Sequence, residues 1–278
     1  MTTASENLRR RRLGFLRRKK AVDKTAAMSL MNHLEELRTR LVVSSAAFFL
    51  AGAIAFVFFV PITDLLLEPL CSIPKERLGP QGCRLIFTGP VEPMLVRLKI
   101  SGLSGMVLAS PIWLYQLWAF VSPGLSQKEK RYSIPFVGTS ILLFLTGITF
   151  AYLTLPAALR FLVGFAGENF IPFFTAKEYL SFVTLVTLVF GITFELPLLL
   201  FFLGLIGVVK VEQLRSFRRG ALVTITLLAA IVTPSQDPFT MLAMALPLYL
   251  MYELVILGLG LINRRKKKKE TAGVSESP

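Results

Sequence analysis

Six apolar runs dominate the chain, at about 41–60, 100–121, 135–155, 179–209, 220–232 and 239–262. Lipid offers no water to satisfy a backbone N–H or C=O, so a run that crosses a bilayer crosses as a helix with internal hydrogen bonds. A helix needs ~20 apolar residues for a ~30 Å hydrocarbon core, and most of these runs meet that length. Hydrophobic residues fill 54% of the 278 positions and the mean hydropathy is +0.63, more apolar than a soluble chain of this length. The predicted fold class is an all-α integral membrane protein with six transmembrane helices. Six crossings put both termini on one side.

Charge predicts which side. Of the 31 Lys and Arg, 24 fall in the N-terminal segment, the second-to-third and fourth-to-fifth connections, and the C-terminal tail. Five, namely Lys75, Arg77, Arg84, Arg160 and Lys177, fall on the opposite face. The positive-inside rule then places both termini in the cytoplasm. The net charge of +14 is mostly this topology, with attraction to anionic headgroups second, and calls for no nucleic acid. Residues 1–27 and 263–278 read as basic disordered cytoplasmic tails around a membrane domain at 28–262. The first tail lacks the apolar segment of a secretory signal, and Met28 marks where organised sequence begins.

Local signals shape the bundle. Leu30, Leu34, Leu37 and Leu41 share a helical face, predicting an interfacial amphipathic helix that runs directly into span one. Pro111, Pro197 and Pro247 each remove a hydrogen bond inside spans two, four and six, so several helices should be kinked and the bundle curved. Ser101, Gly102, Ser104, Gly105 and Ser110 let span two approach a neighbour closely. Span five is short, so bilayer thinning or shelter by protein is expected there. Cys71 and Cys83 share the first external loop, where an oxidising compartment permits a bridge; two separate thiols fit the sequence equally.

Glu195 is the only carboxylate in the 31 residues from Tyr179 to Val209. Burying a charge at that depth is expensive, which points to function, with packing glue as the other reading. Glu253 lies nearer the cytoplasmic end of span six and reads as packing. One histidine and no phosphate-binding loop leave no metal, cofactor or enzyme signature.

Four segments carry a resemblance. They are His33-Leu34-Glu35-Glu36-Leu37-Arg38-Thr39-Arg40, the run from Pro111 to Leu125 followed by Glu129, Phe190-Gly191-Ile192-Thr193-Phe194-Glu195-Leu196-Pro197, and Thr233-Pro234-Ser235-Gln236-Asp237-Pro238-Phe239. In order and in register with six spans, they closely resemble the TatC family, the receptor subunit of the twin-arginine protein translocase. The resemblance implies a prokaryotic cytoplasmic-membrane protein that binds Arg-Arg signal peptides of folded cargo at its cytoplasmic face. It also implies TatA/TatB-type single-span partners, drive by the proton-motive force, and a homo-oligomer within the complex. Glu36 and Glu129 match the family's acids for the arginine pair, and bidentate carboxylate bonds discriminate Arg from Lys. Phe120 matches an aromatic of the same loop, with an interfacial anchor as the bland reading beside Trp113, Tyr115 and Trp118, for which anchoring is favoured. Glu195 matches the family's intramembrane glutamate. Thr233 and Asp237 match a partner-contact region, where Asp237 reads equally as a turn or helix cap. Met241 stands where the family's polar Gln is expected, a departure within that patch. The alternative from another class is a proton-coupled secondary transporter of a small solute that uses Glu195, although the two halves show no internal repeat.

Overall fold

A computed structural model describes residues 31, 33–74, 78, 82–121, 133–164, 173–233 and 237–274. The helices are α1 (His33–Val57), α2 (Phe59–Cys71), α3 (Glu92–Leu108), α4 (Ser110–Val121) and α5 (Ser133–Gly164). They continue as α6 (Ala176–Thr193), α7 (Leu196–Leu205), α8 (Val211–Ser216), α9 (Arg218–Val232) and α10 (Pro238–Val274). The only pairing of extended backbone among the described residues is an isolated bridge between Ile86 and Thr175.

The six expected spans correspond to α1, the α3–α4 pair, α5, α6 with α7, α9, and α10. Four are long and apolar enough to cross a membrane by themselves, and α3 with α4 makes a fifth, bent by 55°. The sixth is α9, whose 15 residues reach only ~22 Å at 1.5 Å per residue. The expected amphipathic helix is continuous with span one: α1 starts at His33, and Leu34, Leu37 and Leu41 stay exposed along it.

Proline decides two of the expected kinks. Pro111 supplies no N–H, so the chain turns at Ala109, where Ile112 and Trp113 both donate to the Ala109 carbonyl at 3.0 and 3.1 Å. Pro197 strips the Thr193 carbonyl of its helical donor, and the chain breaks at Phe194 and Glu195. Pro247 lies inside α10 without interrupting it. Neighbouring helices can shelter one missing bond in a buried span.

Span two begins earlier than its charges suggest. Arg97 lies within α3, donates to the Phe56 carbonyl at 3.1 Å and places its guanidinium 4.3 Å from the Phe56 ring. Both contacts lie beside the α1–α2 junction at Phe58. At its other end α10 runs as helical backbone to Val274, past the start of the expected disordered tail. A nucleated helix gains a bond per added residue, and Lys, Glu and Ala are good helix formers.

Packing centres on α6, which lies against α5, α3 and α2, while α10 covers α9 and α7. The largest buried cluster includes Leu70, Ile100, Leu155, Val183, Phe190 and Met244. Small residues allow close approach as expected. A β-carbon on Gly105 would sit 2.6 Å from the Gly52 Cα, so α1 and α3 touch through backbone.

The cysteine end is a built cap. Cys71 and Cys83 form a disulfide with Cα atoms 5.0 Å apart, which decides between the two readings left open by the sequence. The bridge ties α2, a helix the sequence reading treated as loop, to the segment that pairs with the start of α6. There Ile86 N–H donates to the Phe174 carbonyl at 3.3 Å, and Ala176 N–H donates to the Ile86 carbonyl at 2.8 Å. Buried Glu92 reinforces the junction, accepting from Thr88 N–H, Thr88 Oγ1 and Lys177 N–H at 2.6, 2.8 and 3.3 Å.

Candidate functional site

The N-terminal turns of α1 and the last turns of α4 meet at the basic end of the bundle. Helical spacing puts Glu36 one turn before Arg40 and sets both toward α4. Arg40 donates from Nε at 3.1 Å and from Nη2 at 2.5 Å to the same oxygen, Glu36 Oε1. Its Nη1 donates to Gln116 Oε1 at 3.1 Å, which fastens α1 to α4. His33, the sole histidine, stacks on Phe120 with ring centroids 4.3 Å apart and planes 15° from parallel. Sequence reasoning treated His33 as an ordinary polar residue and did not use Gln116. Glu129 lies outside the described residues.

An aromatic cluster leads from this end toward membrane depth. Trp118 is only 6% exposed and packs with Phe136 of α5 and Phe202 of α7, at 5.2 Å from each ring. It therefore belongs to the core and corrects the expected interfacial anchor. Tyr115 stays exposed, as an anchor would. Trp113 is half-buried, with its ring 5.4 Å from Phe144 and its Nε1 donating to the Met106 carbonyl at 3.1 Å.

One helical turn beyond Phe136 and one turn before Leu198 stand Ser140 and Glu195. Ser140 Oγ donates to Glu195 Oε2 at 2.6 Å, while Glu195 Oε1 is buried without a hydrogen-bond partner among the described residues. Glu195 occupies the break between α6 and α7, where the missing helical bonds leave room for a carboxylate. Sequence reasoning did not use Ser140, which shares its span with Thr139, Thr146, Thr149 and Thr154 and does not stand out among them.

The α9–α10 junction holds the third set. Thr233 is 1% exposed, and its Oγ1 has no partner among the described residues. Asp237 accepts from Thr240 N–H at 2.9 Å immediately before Pro238, the first residue of α10. That is a helix cap with proline at the first helical position. Met241 lies half-buried against the main core cluster. These three are near in sequence to one another, but nothing brings them to Glu36 or Glu195. Glu253 pairs with Arg218 at 2.7 Å, joining α10 to α9 as the packing reading expected.

The chain matches the sequence profile of TatC, Sec-independent protein translocase protein, over residues 32–247. A Frankia casuarinae relative, named Sec-independent protein translocase protein TatC, is 45% identical over 245 residues, spanning 86% of this chain and 67% of its own. An Aquifex aeolicus protein of the same name is 41% identical over 245 residues, spanning 87% and 98%. A crystal structure described as the twin arginine translocase receptor TatC in DDM superposes with a TM-score of 0.70 at 41% identity. It covers 81% of this chain and 98% of that one.

Proposed function

This chain belongs to the TatC family of Sec-independent protein translocase proteins, and from that premise we propose that it is the twin-arginine signal-peptide receptor of its translocase. As a family member it is a membrane-embedded component of protein translocation. In the proposed role Glu36 and Glu129 bind the arginine pair at a cytoplasmic face, and Phe120 packs against apolar residues that follow it. The termini then lie in the cytoplasm of a prokaryotic inner membrane, and the proton-motive force drives export of folded cargo. The family is one of protein translocation, so the small-solute transporter alternative is not carried further.

The observation that carries this reading is the junction where Arg40 bonds to both Glu36 of α1 and Gln116 of α4 and His33 stacks on Phe120, which brings a carboxylate and an aromatic surface to one end of two separate spans. A guanidinium followed by apolar side chains needs that pairing of partners. Glu195, with an unpartnered Oε1, then accepts polar groups of a signal hairpin inside the membrane. Thr233, Asp237 and Met241 mark the region for TatA/TatB-type single-span subunits, beside the short α9, and further copies of the chain assemble in the complex.

The test is photocrosslinking of Arg-Arg and Lys-Lys signal peptides to the membrane-inserted protein, in wild type and in Glu36→Ala with Glu129→Ala. Arg-Arg-selective crosslinks that disappear in the double variant are expected. Crosslinks indifferent to the arginines or to both glutamates refute the reading.

A further inference from the structure

The carboxylate proposed to recognise the signal arginine is already held by an arginine of the same chain. Both donors of that contact, Arg40 Nε and Nη2, converge on Glu36 Oε1, while Nη1 holds Gln116. Glu36 Oε2 has no hydrogen bond among the described residues, and both side chains are partly open, at 34% for Glu36 and 23% for Arg40. A peptide side chain approaching Glu36 therefore meets one free oxygen and one taken by a two-bond grip.

We propose that Arg40 is a specificity-determining residue, which sets the preference for arginine over lysine by competing for Glu36. The proposal rests on the signal-peptide reading above and names the competitor at that same site. A guanidinium presents donors in a planar fork, so an incoming arginine takes Oε2 with one N–H and Oε1 with another. It replaces the two bonds it displaces, and Arg40 keeps its bond to Gln116. A lysine ammonium is a compact point charge without that fork, and it cannot match both bonds at once. Lysine meets the free oxygen with Arg40 still in place, so one cation faces another. Selectivity then comes from an element that rejects the wrong side chain as well as one that attracts the right side chain.

The exchange is possible because the resident pair is weak. Glu36 and Arg40 are four apart on one helix with the acid first, a favourable order, but partly exposed ion pairs contribute little. Gln116, a neutral amide on α4, gives the displaced guanidinium a place to stay without competing for the incoming charge. On α1 the neighbouring charges are Glu35 and Arg38, both exposed, and neither bonds to Glu36.

The experiment titrates labelled Arg-Arg and Lys-Lys signal peptides against the full-length protein in detergent, comparing wild type, Arg40→Gln, Arg40→Lys and Glu36→Gln. Arg40→Lys keeps the charge and removes the fork, which separates competition from loss of positive charge or of fold. Arg40→Gln should bind the Lys-Lys peptide about fivefold tighter, the factor carried by an interaction of ~1 kcal/mol, and Arg40→Lys, which loses the fork but keeps a cation, should gain less. Arg-Arg binding should change by less than Lys-Lys binding, so the preference narrows. Glu36→Gln should lose the preference through weaker Arg-Arg binding. An unchanged preference in both Arg40 variants, or weaker Arg-Arg binding in both, overturns the proposal and leaves Arg40 as a staple to Gln116. A wild type that does not prefer Arg-Arg overturns the receptor reading itself, and this proposal with it.

Discussion

The contact between α1 and α3 gives a prediction whose sign depends on one glycine. A β-carbon on Gly105 would lie 2.6 Å from both Cα and N of Gly52, and 3.2 Å from the Ala51 carbonyl carbon. Carbon atoms pack at about 3.5–4.0 Å, so Gly105→Ala must part the two helices by roughly 1 Å. The obstacle is backbone on both sides, which no rotamer change relieves. Overpacking of this kind costs about 1–3 kcal/mol, partly offset by ~1 kcal/mol of helix propensity gained over glycine. Gly102 supplies the control, since a β-carbon there meets nothing within 4 Å. Both substitutions gain the same propensity in the same helix, so their difference isolates the contact at about 1–3 kcal/mol, with Gly105→Ala less stable. Denaturant unfolding in detergent, followed by fluorescence of the two tryptophans Trp113 and Trp118, reads that difference. The displacement should also weaken Arg-Arg peptide binding, because α1 carries Glu36 while α3 leads into the helix of Gln116 and Phe120. Equal stability of the two variants would refute the close approach and the geometry built on it.

Three further outcomes follow from single contacts. Glu195→Gln should leave membrane insertion intact and impair export of a reporter with a twin-arginine signal, and Glu195→Leu should do no better. Export by the Leu variant equal to wild type would remove the carboxylate from transport. Maleimide labelling should find Cys71 and Cys83 unreactive until reduction, and replacing both by serine should lower stability by about 3 kcal/mol in the chain-entropy model; labelling without reduction would disprove the bridge. Asp237→Ala should destabilise by ~1 kcal/mol through loss of the α10 cap, and Asp237→Asn by much less. Equal effects of Ala and Asn on unfolding would mean that the cap contributes nothing.

The spans were legible because their signals are additive over twenty residues. Apolar length located all six crossings, including α9, whose 15 residues are too few to qualify as a span by themselves. Helix ends were less legible, because charges were read as boundaries. By composition Arg97 ends a span, yet the Phe56 carbonyl and ring hold it within α3. The α2 cap was missed because Pro61, Pro69 and two acids resemble loop sequence, whereas its helix is held from outside. Tyr179 donates to the Leu66 carbonyl and Tyr152 to the Leu65 carbonyl, each at 2.9 Å. At the basic end, sequence named Glu36 and Phe120 but not their partners. Gln116 and His33 are ordinary residues until two distant helices meet.

Helix breaks explain where the polar groups of this bundle collect. Buried polar atoms without partners among the described residues belong to Arg97, Ser101, Ser110, Trp118, Glu195 and Thr233. Four of these adjoin an interruption: Arg97 at the α1–α2 junction, Ser110 at α3–α4, Glu195 at α6–α7 and Thr233 at the end of α9. A proline follows each interruption within three residues, at Pro61, Pro111, Pro197 and Pro234. Proline withdraws a donor and widens the helix path, so a polar side chain there competes with lipid less than it would on an unbroken helix. Proline is not sufficient, since Pro156 and Pro247 sit within unbroken helices whose adjacent residues are apolar. A polar residue just before the proline is not sufficient either, since Thr154 precedes Pro156 and Glu68 precedes Pro69 inside unbroken helices. Ser110, Glu195 and Thr233 differ in standing at or beside an interruption, each with a buried oxygen that has no partner among the described residues.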